Sequence, residues 1–347
     1  KKLETKRDYL KSHLHELKKL ELPEQRSKEW YQMRENVLTA SSLADALGKG
    51  HFNTRDGLLI DKTSKEQKPF IVNDIIQWGV KYEPVATEFY EKMNDVTIVE
   101  FGLVPHPTFP IFGASPDGIC DEDSSKEYIG RMLEIKCPPK RVFTHEVPKH
   151  YWMQMQGQLE VCDLEECDFL QVKIEEYFDI TEYERDYLQD PETNKIINGK
   201  TSENLPKGLV IAYSLKKKDT EKFELCYEYS PWSKPLNELL SWKEETLLAL
   251  EEQYKENDEL DFSIYEVKWW KITRYECTLV RRDKEWWLET VPEIIRFWDE
   301  VEHYRKVGND EIVQKKNARK RKKKDKVQKV FTIPTLDDSF QIESDDD

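Results

Sequence analysis

Asp117, Glu134 and Lys136 are the residues whose types and spacing point most directly to chemistry. They lie in one stretch, FPIFGASPDGICDEDSSKEYIGRMLEIKCP, from Phe109 to Pro138. Asp117 falls on a short turn between Pro116 and Gly118. The chain then crosses an acidic, polar loop and enters a second apolar run, MLEIKC. Successive strand residues face opposite ways, so Glu134 and Lys136 share one face while Leu133, Ile135 and Cys137 take the other. Two carboxylates and an ammonium are therefore expected at one edge of a sheet. Such carboxylates suit Mg2+, which binds through one or two acidic side chains plus waters and substrate phosphates; Mn2+ would substitute. The Ile135 carbonyl offers one more oxygen. Two such ions would clamp the attacking and leaving oxygens of a phosphodiester in an in-line displacement. Lys136 would orient or deprotonate the attacking water, or offset charge building on the phosphorus oxygens. A surface hairpin with Asp117 as an ordinary turn residue has the same local pattern, so the flanking elements decide.

Upstream, Leu3, Leu10, Leu14, Leu17 and Leu20 mark one face of a helix over residues 1–20, docked on the protein or on a partner. The stretch 26–48 reads as a short helix with Trp30 and Met33 in the core and Arg34 on it, then a turn into a second helix capped by Thr39 or Ser41. Free amides at a helix start, a serine hydroxyl and Arg34 would make an anion pocket; an ordinary cap with a solvated arginine is the plainer alternative. Residues 49–70 are polar and Lys-rich, a loop with one apolar turn at Leu58 to Ile60. Residues 74–93 form a helical stripe through Tyr82, Val85, Phe89 and Met93, with Pro84 kinking or restarting it. Glu83 sits beside that irregularity, either as a solvated helix residue or as a third carboxylate aimed at the metal edge. Val96 to Val104 reads as a strand by its β-branched content.

Downstream, Pro138 and Pro139 end the second strand, since proline cannot join a central ladder. Lys140 and Arg141 follow, where a phosphate backbone would pass. The stretch KHYWMQMQGQLEVC, 149–162, is a helix with Tyr151, Met155, Gln158 and Cys162 on one stripe and Gln154 four residues before Gln158. A glutamine there can bond the attacking water or a phosphate oxygen without adding charge. Cys167 to Ile174 is a buried strand. Residues 175–205 look like a flexible surface insertion, with turn signals PETN and NGK. Strands follow at Leu209–Leu215 and Phe223–Tyr229, then an amphipathic helix from Leu236 to Tyr254. One or two strands cover Phe262–Val280, and a further helix covers Asp283–Lys306. Residues 307–347 lack periodicity and read as a solvated tail.

Composition sets outer bounds. The chain of 347 residues, with ten tryptophans, is long enough for a real core. It has no run of about 18 apolar residues, so no membrane span or membrane partner is expected. Its six cysteines are scattered without CxxC spacing. Buried reduced thiols, and with them an intracellular setting, are the expectation rather than disulfides or zinc. A net charge of −15 argues by its sum against a nucleic-acid partner. Local basic surface matters more, and Arg131, Lys136, Lys140, Arg141, Lys149 and His150 are expected around the site. The run Lys315–Lys326 is a nuclear address or a weak DNA anchor ahead of an acidic end.

The motifs together resemble the lambda exonuclease / YqaJ viral recombinase family of PD-(D/E)xK nucleases. The carrying residues are Trp30-xxx-Arg34 followed by LTAS at 38–41, WGxxYE at 78–83, SPDG at 115–118, LEIKCP at 133–138, and Tyr151-xx-Gln154-x-Gln156. Their order and spacing match from about residue 26 to 174, and RRDKEWWLETVPEIIRFWDE is similar to the family's last helix. The resemblance implies an α/β fold, a restriction-endonuclease-like core with a mixed sheet flanked by helices. It implies two Mg2+ ions on Asp117 and Glu134, with the Ile135 carbonyl adding a ligand and Glu83 supporting the second ion or its water. Lys136 would be the catalytic lysine, with Gln154 by the nucleophile and Tyr151 beside it. Arg34 and Ser41 would hold a 5′-phosphate. The implied activity is 5′→3′ digestion of double-stranded DNA for recombination, repair or viral genome processing, alongside a single-strand annealing protein and as a homo-oligomer. An endonuclease or RNA-degrading relative with the same metal centre, and an idle DNA-binding module, use the same residues differently. The organisation expected is an N-terminal helix (1–25), a nuclease domain (26–306) with an insertion at 175–262 longer than in compact phage members, and a basic then acidic tail (307–347). An enlarged chain of this kind resembles versions from large DNA viruses, with a viral replication site or the nucleus as its place of action.

Overall fold

In a computed structural model, the described residues are 2–64, 73–125, 127–140, 142–218, 223–255 and 257–319. The chain begins with helix α1 (Lys2–Lys18) and helix α2 (Lys28–Glu35), followed by strand β1 (Leu38–Thr39), a 3-10 turn (Ala40–Ser42), and helices α3 (Leu43–Ala46) and α4 (Arg55–Thr63). Helix α5 (Asp74–Asn94) leads into short strands β2 (Ile98–Val99), β3 (Val104–Pro105), β4 (Phe112–Ala114) and β5 (Gly118–Cys120), then strand β6 (Met132–Lys136). Helix α6 (Lys149–Val161) crosses to the long strand β7 (Glu166–Glu176). After it come α7 (Ile180–Arg185), β8 (Leu188–Gln189), β9 (Ile196–Ile197), β10 (Lys207–Lys217), β11 (Phe223–Tyr229), α8 (Leu236–Tyr254), β12 (Leu260–Arg281) and α9 (Lys284–Val307).

Two compact units divide these elements: residues 1–41 with 69–289, and residues 42–68 with 290–347. The first unit carries the α/β core expected from the sequence. Its main sheet has seven strands in the order β11-β10-β12-β7-β6-β5-β2. β6 and β7 run parallel, joined through α6, and the other neighbours are antiparallel. A parallel pair needs a crossover connection, usually a helix. A second, three-stranded sheet pairs β1 with β4 and β4 with β3. The central strands β6 and β7 are nearly all buried, as strands covered on both faces must be. The core between them and α5 contains Tyr82, Val85, Phe89, Tyr90, Leu133, Ile135, Leu170, Val172 and Trp270. Helix α1 docks on this unit: His13 Nε2 lies 2.7 Å from the Cys162 carbonyl, and Tyr9 donates to Asp163.

In the second unit, two segments far apart in sequence pair with each other. Arg55 on α4 holds both oxygens of Glu300 at 2.8 Å. Asn309 donates to Thr63 at 2.9 Å. Leu58, Leu59, Ile60, Ile294, Phe297, Trp298 and Val301 are buried there.

Several local expectations need correction. The stretch 96–104 is not one strand: β2 joins the main sheet through β5, whereas β3 joins the small sheet through β4. Gly102 lies between them, pressed so closely on the Pro23 carbonyl that a side chain would not fit. The supposed loop at 49–70 contains α4, whose start is capped by the Thr54 hydroxyl accepting from the Gly57 amide. Residues 175–205 do not form a loose insertion over their length. Tyr177 and Tyr183 are buried with Leu209, Leu239 and Trp269, and buried Lys207 donates to the carbonyls of Tyr183 and Asp186. Nor do the first residues of the tail lack structure: 310–319 are helical and Ile312 is buried. The remainder of the tail, including 320–326 of the basic run, lies outside the described residues. The six cysteines are free, four of them buried. Among the described residues no helix is long and apolar enough to cross a membrane.

Candidate active site

Glu134 is the centre of the site. It lies in β6 with no exposed surface. Burial of a carboxylate is tolerated only with compensating donors. Lys136, two residues along and on the same face, gives its ammonium to Glu134 Oε1. Gln154 Nε2 donates to the same oxygen at 2.7 Å, and Gln158 Nε2 donates to Oε2 at 2.7 Å. The two glutamines stand four apart on α6, one helical turn, so they present together. Gly157 allows α6 this close approach: a Cβ there would meet the Phe112 ring at 2.9 Å and the Ala40 methyl at 3.1 Å.

Asp117 enters from the turn before β5. Its Oδ2 accepts the Ile135 amide at 2.7 Å, which ties the aspartate to the strand that carries Glu134. The turn is held by glycine: a Cβ on Gly118 would lie 2.3 Å from Ile98 Cγ2. Burial raises the Asp117 carboxyl well above the ordinary range; the charges of Glu134 and Glu83 add to this, against Lys136 and the Ile135 amide. Glu83, on α5, is raised too, first by burial and then by Glu134 and Glu100, against the pull of Arg26 and Lys136. Arg26, in a left-handed backbone conformation (φ 70°), reaches Glu83 at 3.4 Å. Burial pulls the Lys136 ammonium down, but the charges of Glu134 and Asp117 and the bond to Glu134 outweigh it, so its pKa is raised. The Tyr151 ring lies 5.2 Å from that ammonium.

Three acids thus share one lysine, and the site is short of positive charge. Among the described residues no three His, Cys, Asp or Glu side chains are gathered tightly enough to hold an ion by themselves. Mg2+ seldom uses such a cage, taking one or two carboxylates and completing its shell with water and phosphate. The donor set of Asp117 and Glu134, joined through the Ile135 amide that Asp117 accepts, fits that habit.

A second group of predicted residues lies on the turn after α2. Arg34 donates to Ser41 Oγ at 3.2 Å, and Ser41 Oγ lies 3.1 Å from Thr39 Oγ1. Arg34 also stacks over Trp30, 4.3 Å from the ring centre, and burial lowers its guanidinium from the ordinary value. The Trp30 indole donates to Ser115 Oγ at 3.2 Å, which links this group to the loop of Asp117. The helix expected here starts later: β1 and a 3-10 turn (Ala40–Ser42) intervene, and Ser42, not Thr39 or Ser41, is the N-cap residue of the four-residue α3.

Other predicted residues fall elsewhere. Arg131 sits at the opposite end of β6 from Lys136 and pairs with Glu166 (2.8 Å) and Asp168 (3.0 Å), so it does not belong to the cluster. Gln156 faces away from Glu134: it spans the link between β12 and α9, donating to the Arg281 carbonyl and accepting the Asp283 amide. Lys149 covers the Trp152 ring. Lys140 is exposed and lines a cleft of about 430 Å³ with Lys173, Lys271, Arg274 and Asp186. Arg141 lies outside the described residues. Gln158 was marked in sequence by its four-residue spacing from Gln154, but its bond to Glu134 was not. Arg26 carried no sequence signal.

A mixed sheet that buries Glu134 beside Lys136 and paired glutamines, with Asp117 tied to the same strand, defines an α/β protein with a buried acid–lysine cluster. The comparisons agree with this class. Residues 29–165 match the model of the YqaJ-like viral recombinase domain, and this part of the chain belongs to that family. An uncharacterized protein of Acanthamoeba polyphaga mimivirus is 34% identical over 310 residues, covering 83% of this chain and 54% of that protein. The chain therefore spans about half the length of this curated relative. Solved structures of lower similarity include LHK-Exo, an alkaline exonuclease from Laribacter hongkongensis, alone and in complex with dAMP. Both are 20% identical with a TM-score of 0.45, covering 83–84% of this chain and 99% of that one. A phage related exonuclease from Haemophilus somnus is 11% identical with a TM-score of 0.34, covering 80% and 96%. Likeness at this level assigns no residue and no activity.

Proposed function

We propose that the chain is a metal-dependent deoxyribonuclease that degrades double-stranded DNA 5′→3′ from 5′-phosphorylated ends, in recombination or viral genome processing. The observation that carries this reading is the surplus of carboxylate over ammonium around Glu134, at donors suited to Mg2+. Asp117 and Glu134 would hold the ion, with the Ile135 carbonyl as a further ligand and Glu83 serving a second ion or its water. Bound there, the ion supplies Lewis-acid charge to the reacting phosphate. Lys136 would offset charge on the phosphate oxygens, and Gln154 would orient the attacking water through its amide. Tyr151 limits the space around the Lys136 ammonium.

Arg34, Ser41 and Thr39 are suited to a terminal phosphate, since a guanidinium and two hydroxyls supply charge-assisted donors on one turn. Arg34 stacks on Trp30, and the bond from Trp30 to Ser115 ties this group to the loop that carries Asp117. That linkage supports an enzyme that starts at an end.

Linear duplex labelled at defined termini tests the reading. Mg2+ or Mn2+ should permit loss of nucleotides from a 5′-phosphorylated end, and a chelator should stop it. Lys136→Ala should lower turnover by about 10²–10³-fold while circular dichroism and the unfolding transition remain those of a folded protein. Full activity in Lys136→Ala would overturn the assignment. Arg34→Ala should reduce the preference for 5′-phosphate over 5′-hydroxyl ends by about tenfold, or 1.4 kcal/mol; an unchanged ratio would remove the phosphate group from the reading. Closed circular duplex should survive, and its cleavage would favour an endonuclease.

A further inference from the structure

Pro84 opens the hydrogen-bond ladder of α5 one residue after Glu83. It has no amide to offer the Val80 carbonyl, and its ring crowds that carbonyl. The next two carbonyls take donors from outside the helix. The Tyr229 hydroxyl, from β11, donates to the Lys81 carbonyl at 2.6 Å. The Cys137 thiol, just past the end of β6, donates to the Tyr82 carbonyl at 3.7 Å. The side chains of the same turn are fixed as well. Lys81, buried, reaches Glu176 on β7 and Glu266 on β12, both at 2.6 Å. The Tyr82 hydroxyl donates to Glu176 at 2.7 Å. Three strands and the residue after β6 thus grip one helical turn, and the residue that follows is Glu83, whose carboxylate feels both Glu134 and Lys136.

We infer that Tyr229, supported by Glu266, is a positioning residue that the long 175–262 segment and its flank supply to the candidate site. The hydroxyl braces the Lys81 carbonyl, next to the Val80 carbonyl that Pro84 leaves without its helix donor, and so holds the opened turn in the rotation that keeps Glu83 beside Glu134 and Lys136. The insertion is then part of the site's scaffold as well as of the sheet, through β10 and β11. This inference rests on the reading of Glu83 as a support for a divalent ion. The Tyr229 ring has a separate role, packing against the apolar core with Tyr227 and Trp232. Tyr229→Phe keeps that packing and removes one hydroxyl.

Calorimetric titration with Mn2+ of the full chain, Tyr229→Phe, Glu83→Gln and the double variant tests the claim, together with amide hydrogen exchange of residues 82–87 in the metal-free protein. Tyr229→Phe should weaken Mn2+ binding by about tenfold, with the unfolding midpoint close to that of the parent. It should also speed exchange across 82–87. Added to Glu83→Gln, it should cost nothing more, because residues acting through one group are non-additive. Glu266→Gln should weaken binding in the same direction. Parent-like Mn2+ affinity in Tyr229→Phe, or full additivity in the double variant, would overturn the positioning role. Absence of Mn2+ binding in the parent chain would overturn the metal reading of the site. The clamp would then be judged on hydrogen exchange, and unchanged protection in Tyr229→Phe would sink it too.

Discussion

Two lysine–carboxylate clusters meet on neighbouring residues of α5, and they are balanced in opposite ways. In the first, Lys81 and Lys268 face Glu176 and Glu266, two cations against two anions. Burial works against the Glu176 charge, but the bonds from Lys81 and Tyr82 outweigh it and its carboxyl is held below the ordinary range. In the second, Asp117, Glu83 and Glu134 surround Lys136, with Arg26 at the rim. Two of these carboxyls are pushed up, and the lysine is raised with them. The first cluster is settled as it stands. The second is unsettled and would be relieved by an added cation. Charge balance separates the scaffold from the site more sharply than residue type does, since both are built from Lys and Glu.

The largest effect should come from breaking the settled cluster. Lys81→Met leaves the half-buried Glu176 and Glu266 with only Lys268 and Tyr82 as partners among the described residues, and stability should fall by about 1.5–3 kcal/mol in urea unfolding. A loss below about 1 kcal/mol would place this cluster among ordinary surface pairs. A smaller effect, of opposite sign, should follow in the unsettled cluster. Asp117→Asn retains an oxygen for the Ile135 amide and removes a carboxylate that burial and Glu134 disfavour. The metal-free protein should unfold at an equal or higher urea concentration at neutral pH. A clear fall in the midpoint would mean that Asp117 is paid for by contacts not evident in its surroundings.

How much of this was legible depended on whether a contact was local. The alternation that puts Glu134 and Lys136 on one face follows from strand geometry, and the structure has them in contact. The helix of Gln154 and its spacing to Gln158 were readable as well. Their shared target was not, because Glu134 lies two dozen residues upstream on a different element. Pro84 announced an irregular helix turn, but Tyr229 lies 148 residues away and nothing near it in sequence marks its hydroxyl as a partner for that turn. Polar composition made 175–205 look loose. Its buried residues Tyr177, Tyr183 and Thr201 follow no single period; the two tyrosines meet edge-on at 5.4 Å and pack with Leu209 of β10 and Trp269 of β12, contacts that local spacing does not announce. The hydroxyls of Thr39 and Ser41 resembled caps because the arginine that engages Ser41, seven residues back, sits on another helix.

Thermal unfolding of the parent chain and Asp117→Asn, with and without Mn2+, tests the unsettled cluster most directly. The carboxyls of Asp117 and Glu83 are raised in the folded state. The metal-free fold therefore holds protons that the unfolded chain has released, and its stability declines as pH rises through that window. Mn2+ needs the ionised carboxylates, so the stabilisation it gives the parent should grow as pH rises above the ordinary carboxylate range, and Asp117→Asn should lose most of it. A shift of equal size in both proteins, or none in the parent at any pH, would contradict the assignment of Asp117 and Glu134 to a divalent ion.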